Sequence, residues 1–132
     1  MLEVRGSKEG KCSVMIKSYR DLEVYKKSYE ASLKLHQMTL EFPRHELYEL
    51  GSQMRRAAMS IPLNIAEGYG RKSAIAEFKH FLRIANGSCN EVIVLLEMIK
   101  DLGYLENEVF QEYNETYDHI ARQIYRLIES WK

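Results

Sequence analysis

The sequence predicts an all-α fold, an antiparallel up-down bundle of four helices, and three observations predict it. Apolar residues return at spacings of three and four in four separate stretches, the signature of helices with one buried face. Seven glycines and two prolines in 132 residues are too few for a β-sandwich or barrel, which needs a turn every ten residues or so. Apolar residues make up 45% and charged residues 29%, a globular mixture at a length that fits one domain.

Residues 1–20 are polar, contain Gly6, Ser7, Gly10 and Ser13, and show no helical stripe, which reads as a flexible N-terminal tail ahead of a bundle over 21–132. Met15 is an alternative start, and Met1–Val14 is then an upstream extension. Asp21 is placed as the N-cap of a first helix carrying Leu22, Tyr25, Tyr29 or Ser32, Leu35, Thr39 and Phe42, which Pro43 stops. The second stripe is Leu47, Leu50, Met54, Ala58, Ile61 and Ile65, with Pro62 inside it. The missing N–H of Pro62 predicts a kink rather than an end, because the stripe stays in phase. Gly68 and Gly70 then serve as a left-handed C-cap and turn.

Ser73 is the expected N-cap of the third helix, with Phe78, Phe81 or Leu82, Ala85, Cys89, Val92, Leu96 and Ile99 on its stripe and Gly103 as its C-cap. Asn107 or Glu106 opens the fourth, where Phe110, Tyr113, Tyr117, Ile120, Ile124, Leu127 or Ile128, and Trp131 follow heptad-like intervals. Short links between four amphipathic helices favour the up-down topology.

Composition excludes several classes of function. Cys12 and Cys89 lie in no metal-binding or CxxC spacing, so neither a disulfide framework nor a zinc site is indicated, and a reducing cytoplasm is the simplest location. Met1–Ser18 lacks the apolar core of a secretory signal. The longest apolar run, Val92–Leu96, is closed by Glu91 and Glu97, which excludes a membrane span. A di-metal bundle needs two Glu-x-x-His motifs, and here Glu77-Phe78-Lys79-His80 stands alone. Gly68-Tyr69-Gly70-Arg71-Lys72-Ser73 has the glycines and cations of a phosphate loop without the spacing of a Walker or dinucleotide motif. Two cations at a helix N-terminus still suit a bound anion. Cys89 falls on an apolar stripe and no Gly-x-Ser-x-Gly elbow exists, so nucleophilic catalysis has no support. No cofactor or metal is expected, and the chain reads as a non-enzyme.

Charge is distributed unevenly although the net is +0: residues 1–83 carry +5 and residues 84–132 carry −5. With the second and third helices antiparallel, residues 71–83 are expected alongside roughly 55–68. Arg55, Arg56, Arg71, Lys72, Lys79 and Arg83 then form one patch suited to a phosphate backbone. The other reading of these cations is a solvated face paired with Glu67, Glu77 and the acidic fourth helix. Unlike faces on one subunit also suit head-to-tail closure into a ring.

The stretch Gln53-Met54-Arg55-Arg56-Ala57-Ala58-Met59-Ser60-Ile61-Pro62-Leu63-Asn64-Ile65-Ala66-Glu67-Gly68-Tyr69-Gly70-Arg71 resembles the signature of a bacterial four-helix-bundle family encoded in intervening sequences of large-subunit ribosomal RNA genes. Asp21–Tyr25, Phe81–Ser88 and Leu102–Leu105 agree with the same family, so the resemblance covers about 21–132. It implies a subunit of a homopentameric ring. It also implies a relation to the accessory protein of diversity-generating retroelements, a basic pentamer that binds nucleic acid and a reverse transcriptase. This chain differs from those members in being neutral overall. Small residues Ala57, Ala58 and Ser60 also suit close helix approach, with Asn64 and Glu67 able to bond backbone groups freed near Pro62. The expectation is a cytoplasmic homo-oligomer that binds RNA or DNA through the six cations. The alternative is a protein-interaction scaffold or accessory subunit, for example of a reverse transcriptase, with the same arginines as ion-pair partners between subunits.

Overall fold

The computed structural model describes residues 2–5 and 13–132. Leu2–Arg5 (β1) and Ser13–Ile16 (β2) pair antiparallel in the register Leu2 to Ile16, Glu3 to Met15, Val4 to Val14 and Arg5 to Ser13. The expectation of a tail without regular structure over 1–20 therefore differs from the structure at these residues, while 6–12 lie outside the described ones. The short alternations Leu2–Arg5 and Ser13–Ile16 carry too few apolar residues to stand out from a polar segment. Ile16 is buried and anchors the ribbon in the helical core.

A single 3-10 turn, Tyr19–Asp21, joins the ribbon to the bundle. Asp21 caps this turn rather than the first long helix: its Oδ2 accepts from the backbone N–H of Lys17 at 2.8 Å and of Ser18 at 3.1 Å. Those two donors hold its carboxyl below the usual carboxylate range. Five α-helices follow: α1 (Glu23–Thr39), α2 (Arg44–Leu47), α3 (Leu50–Tyr69), α4 (Ile75–Asp101) and α5 (Asn107–Ser130). The four long ones are those the apolar stripes predict. The one-turn α2 follows Pro43, whose fixed φ suits a helix start.

α3 packs on α1 and α4, and α5 packs on α4 and α1, which closes the four long helices around one core. Met54, Ala58, Ile61, Ile65, Phe78, Leu82, Val92, Leu96, Ile99, Tyr117, Ile120 and Ile124 are sealed in it. α3 passes through Pro62 as one helix. Asn64 Nδ2 donates to the carbonyl of Ser60 at 2.7 Å and to its Oγ at 2.9 Å, whereas Glu67 turns outward to Arg71.

Two caps differ from expectation. Gly68 is helical, and Gly70 caps α3 at φ −63, so neither is left-handed. What Gly68 supplies is room: a Cβ there would lie 2.7 Å from Phe81 Cβ and 3.0 Å from Phe78 Cδ1. Ala74, not Ser73, is the N-cap of α4, because the turn after Gly70 continues right-handed through the bonds Arg71 N–H to Gly68 O and Lys72 N–H to Tyr69 O. Gly103, at φ +88, does close α4, with Tyr104 N–H reaching back to Ile99 O at 2.9 Å.

Candidate nucleic-acid interface

The register of α3 against α4 decides where the six cations lie. Ser60 and Ser88 share a hydrogen bond of 2.8 Å between their hydroxyls, and Gly68 sits against Phe78 and Phe81. Residues 55 and 56 are therefore level with about 92–93, and not with 79–83. Arg55 and Arg71 are sixteen positions apart, about 24 Å along the axis at the rise of an α-helix. The single six-residue patch expected from the sequence is thus not assembled on one subunit.

Arg55 is half-buried and structural. Its guanidinium donates to Thr39 Oγ1 at 2.8 Å and to the carbonyl of Leu47 at 3.1 Å, pinning the end of α1 and α2 to α3. Gly51 leaves the space, since a Cβ there would lie 3.0 Å from Arg55 Nη1. Arg71 is also engaged, with Glu67 at 2.9 Å, Glu77 at 3.3 Å and its guanidinium 5.2 Å from the centroid of the Phe81 ring. Hydrogen bonds to the two carboxylates push its basicity further up. Glu77 of the lone Glu-x-x-His motif is thus spent on an ion pair.

Lys72, Lys79, Arg83 and Arg56 remain. Lys72 Nζ lies 4.4 Å from the centroid of the Tyr69 ring. Among the described residues none of the four has a carboxylate within 4.0 Å. Lys79 and Arg83 are one turn apart on α4, near the turn that presents Lys72, while Arg56 is exposed farther along α3. Arg83 borders a groove of about 410 Å³ between α4 and α5, which Asn86, Asn90, Tyr125 and Glu129 also line. Its cation, amides and phenol offer donors and acceptors to phosphate and base edges, while the Glu129 carboxylate repels a phosphate at that end.

Two features escaped the sequence reading. The first is an outward stripe on α4, opposite its core stripe: Ile84, Gly87, Glu91, Val94 and Met98 recur at three and four and all face solvent. Met59 and Leu63 are exposed on neighbouring α3, Leu63 at 63%. Gly87 stands open within it, with no atom within 4 Å of where its Cβ would be. The second is a cationic cluster on the seam of α1 and α5. There Lys27 Nζ lies 3.0 Å from His119 Nε2, a pair 92 positions apart in the chain.

Among the described residues no helix is long and apolar enough to cross a membrane. The family model for the 23S rRNA-intervening sequence protein matches residues 20–126. No curated protein matches the chain. Among solved structures, the chain is similar in fold to a protein of unknown function from the S23 ribosomal protein family of Bacteroides thetaiotaomicron. The TM-score is 0.73 and the identity 23%, over 81% of this chain and 96% of that one. With the signature around Pro62 and the helix order in place, the match over residues 20–126 makes this chain a member of the 23S rRNA-intervening sequence protein family.

Proposed function

We propose that this protein is a non-enzymatic subunit of a cytoplasmic homo-oligomer, a pentameric ring, that binds RNA through phosphate contacts. The observation that carries the assembly is the outward α4 stripe. A helix in a monomer needs one apolar face, and α4 also exposes Ile84, Val94 and Met98 on the opposite side, interrupted by Glu91. A seam at heptad spacing that includes a glycine suits a helix of a second copy approaching close to the backbone at Gly87. Gly87 costs the free subunit about 1 kcal/mol of helix propensity, and nothing inside the subunit needs it.

Lys72, Lys79 and Arg83 are the phosphate ligands of this reading, with Arg56 contributing from the neighbouring helix. A ring repeats them once per subunit, which offsets the neutral charge of the single chain by placing several cations around one polyanion. The family's tie to 23S rRNA makes RNA the polyanion we assign. Cys89 supports a non-catalytic reading: burial pushes its thiol up to about 12, far from the thiolate a nucleophile requires.

Light scattering on the eluting species tests the assembly. The wild type is expected at about five times 15.5 kDa, and Val94→Glu with Leu63→Glu at the mass of one folded chain. A wild type that elutes as a folded monomer at tens of micromolar contradicts it.

A further inference from the structure

We propose that the seam between α1 and α5 carries an anion site of its own, in which Lys27, Arg122 and Arg126 hold a phosphate group beside His119. On α5 the positions 119, 122 and 126 recur at three and four and so share one face. Lys27 joins them from α1, which runs antiparallel to α5, as Tyr113 Oη bonding to the carbonyl of Lys34 at 3.2 Å also shows. Lys27 Nζ donates to His119 Nε2 at 3.0 Å, which fixes the imidazole as neutral with its proton on Nδ1.

Asp118, the acid that acts on His119, is already held by Arg122 at 3.0 Å. Glu23 and Glu30 lie one turn from Lys27 on α1, and Glu115 and Glu129 lie one turn from His119 and Arg126 on α5. Among the described residues neither Lys27 nor Arg126 has a carboxylate within 4.0 Å. Arg126 Nε has only the carbonyl of Arg122, at 3.5 Å, and the two arginines repel one another one turn apart. Lys27 keeps two further N–H donors after His119, and each arginine keeps a fork of donors for a tetrahedral oxyanion. Arg122 and Arg126 are exposed and Lys27 is half-buried beside them.

His119 reports on the site. Burial, then Lys27, Arg122 and Arg126 hold its pKa below the usual imidazole value, and Asp118 opposes them. A bound phosphate reverses the sign of the local field and so raises that pKa. This site is independent of RNA binding at the α3–α4 turn.

The test is the ring resonances of His119, followed by NMR in the full chain against inorganic phosphate, with chloride of equal ionic strength as control. A saturable shift with an upward move in the His119 titration is expected, and about tenfold weaker binding in Arg126→Ala, whose exposed side chain the fold does not need. A short oligoribonucleotide without terminal phosphate gives the second arm. If it also shifts His119, the ligand is a phosphodiester backbone; if inorganic phosphate alone does, the ligand is a free phosphate or a monoester. A His119 response no larger than that to chloride, or one unchanged in Arg126→Ala, overturns the proposal.

Discussion

Two glycines in the middle of helices have opposite reasons to be there, and substituting each with alanine separates them. Alanine gains about 1 kcal/mol over glycine in a helix interior, wherever there is room for its methyl. At Gly87 there is room on every side, so Gly87→Ala is expected to stabilise the isolated subunit by about 1 kcal/mol. At Gly68 the methyl meets Phe81 Cβ at 2.7 Å and the carbonyl of Phe78 at 3.2 Å, atoms that move only if α3 and α4 separate. Overpacking of that kind costs about 1–3 kcal/mol, which exceeds the propensity gain at all but its lower end. Gly68→Ala is therefore expected to be destabilised by up to about 2 kcal/mol net. Urea unfolding of the dissociated subunit reads both, with Trp131 as probe, since its ring is 4.8 Å from that of Phe78. The two substitutions should part again in assembly: Gly87→Ala weakens the oligomer, while Gly68→Ala leaves its contact face intact. Loss of stability in Gly87→Ala, or unchanged assembly in that variant, would refute the reading of the outward stripe as a close helix contact.

The remaining predictions concern buried polar groups. Arg55→Ala removes the donor to the Leu47 carbonyl and to Thr39 Oγ1, which keeps its bond to the His36 carbonyl, and is expected to lower stability by about 1.5–3 kcal/mol in the same unfolding assay, with Arg55→Lys recovering little because one ammonium cannot span both acceptors. Tyr117 Oη is buried with no hydrogen-bond partner among the described residues, so Tyr117→Phe should be neutral or stabilising by about 1 kcal/mol. Cys89 should resist alkylation at pH 8 in the native protein and react on unfolding, as a mass-shift assay reads; rapid native labelling would show that its pocket opens. Acid should weaken the fold through His119. Its folded pKa is depressed, so the stability it contributes is present above the ordinary imidazole value and is lost as pH falls through its folded pKa, visible as a fall in the urea midpoint.

The four long helices were legible because their apolar intervals survive any register, and Gly103 was legible because a glycine just past a stripe has few other uses. Gly68 was misread for the same reason: a glycine near a helix end looks like a cap, and only the neighbouring helix shows that it is a contact point. The cationic patch failed on register. Because the α3–α4 turn is tight, residue 68 already meets residues 78 and 81, which carries Arg55 and Arg56 beyond the reach of Arg83. Arg55 looked like a ligand because its two acceptors, Thr39 Oγ1 and the Leu47 carbonyl, carry no charge a sequence displays. The Lys27–His119 seam joins positions 92 apart, one in the positive segment 1–83 and the other in the negative segment 84–132, so neither local spacing nor segment charge points to it.

The most direct test of RNA binding by an assembled ring is the affinity of the intact oligomer for a single-stranded RNA measured from about 50 to 200 mM salt. Three phosphate ligands on one subunit give a slope of log affinity against log salt of about −2, and several subunits acting together steepen it. Alanine at Lys72, Lys79 and Arg83, with the oligomer intact, should flatten that slope and weaken binding to all sequences alike. No binding at the lowest salt, or a slope unmoved by the triple substitution, would contradict it.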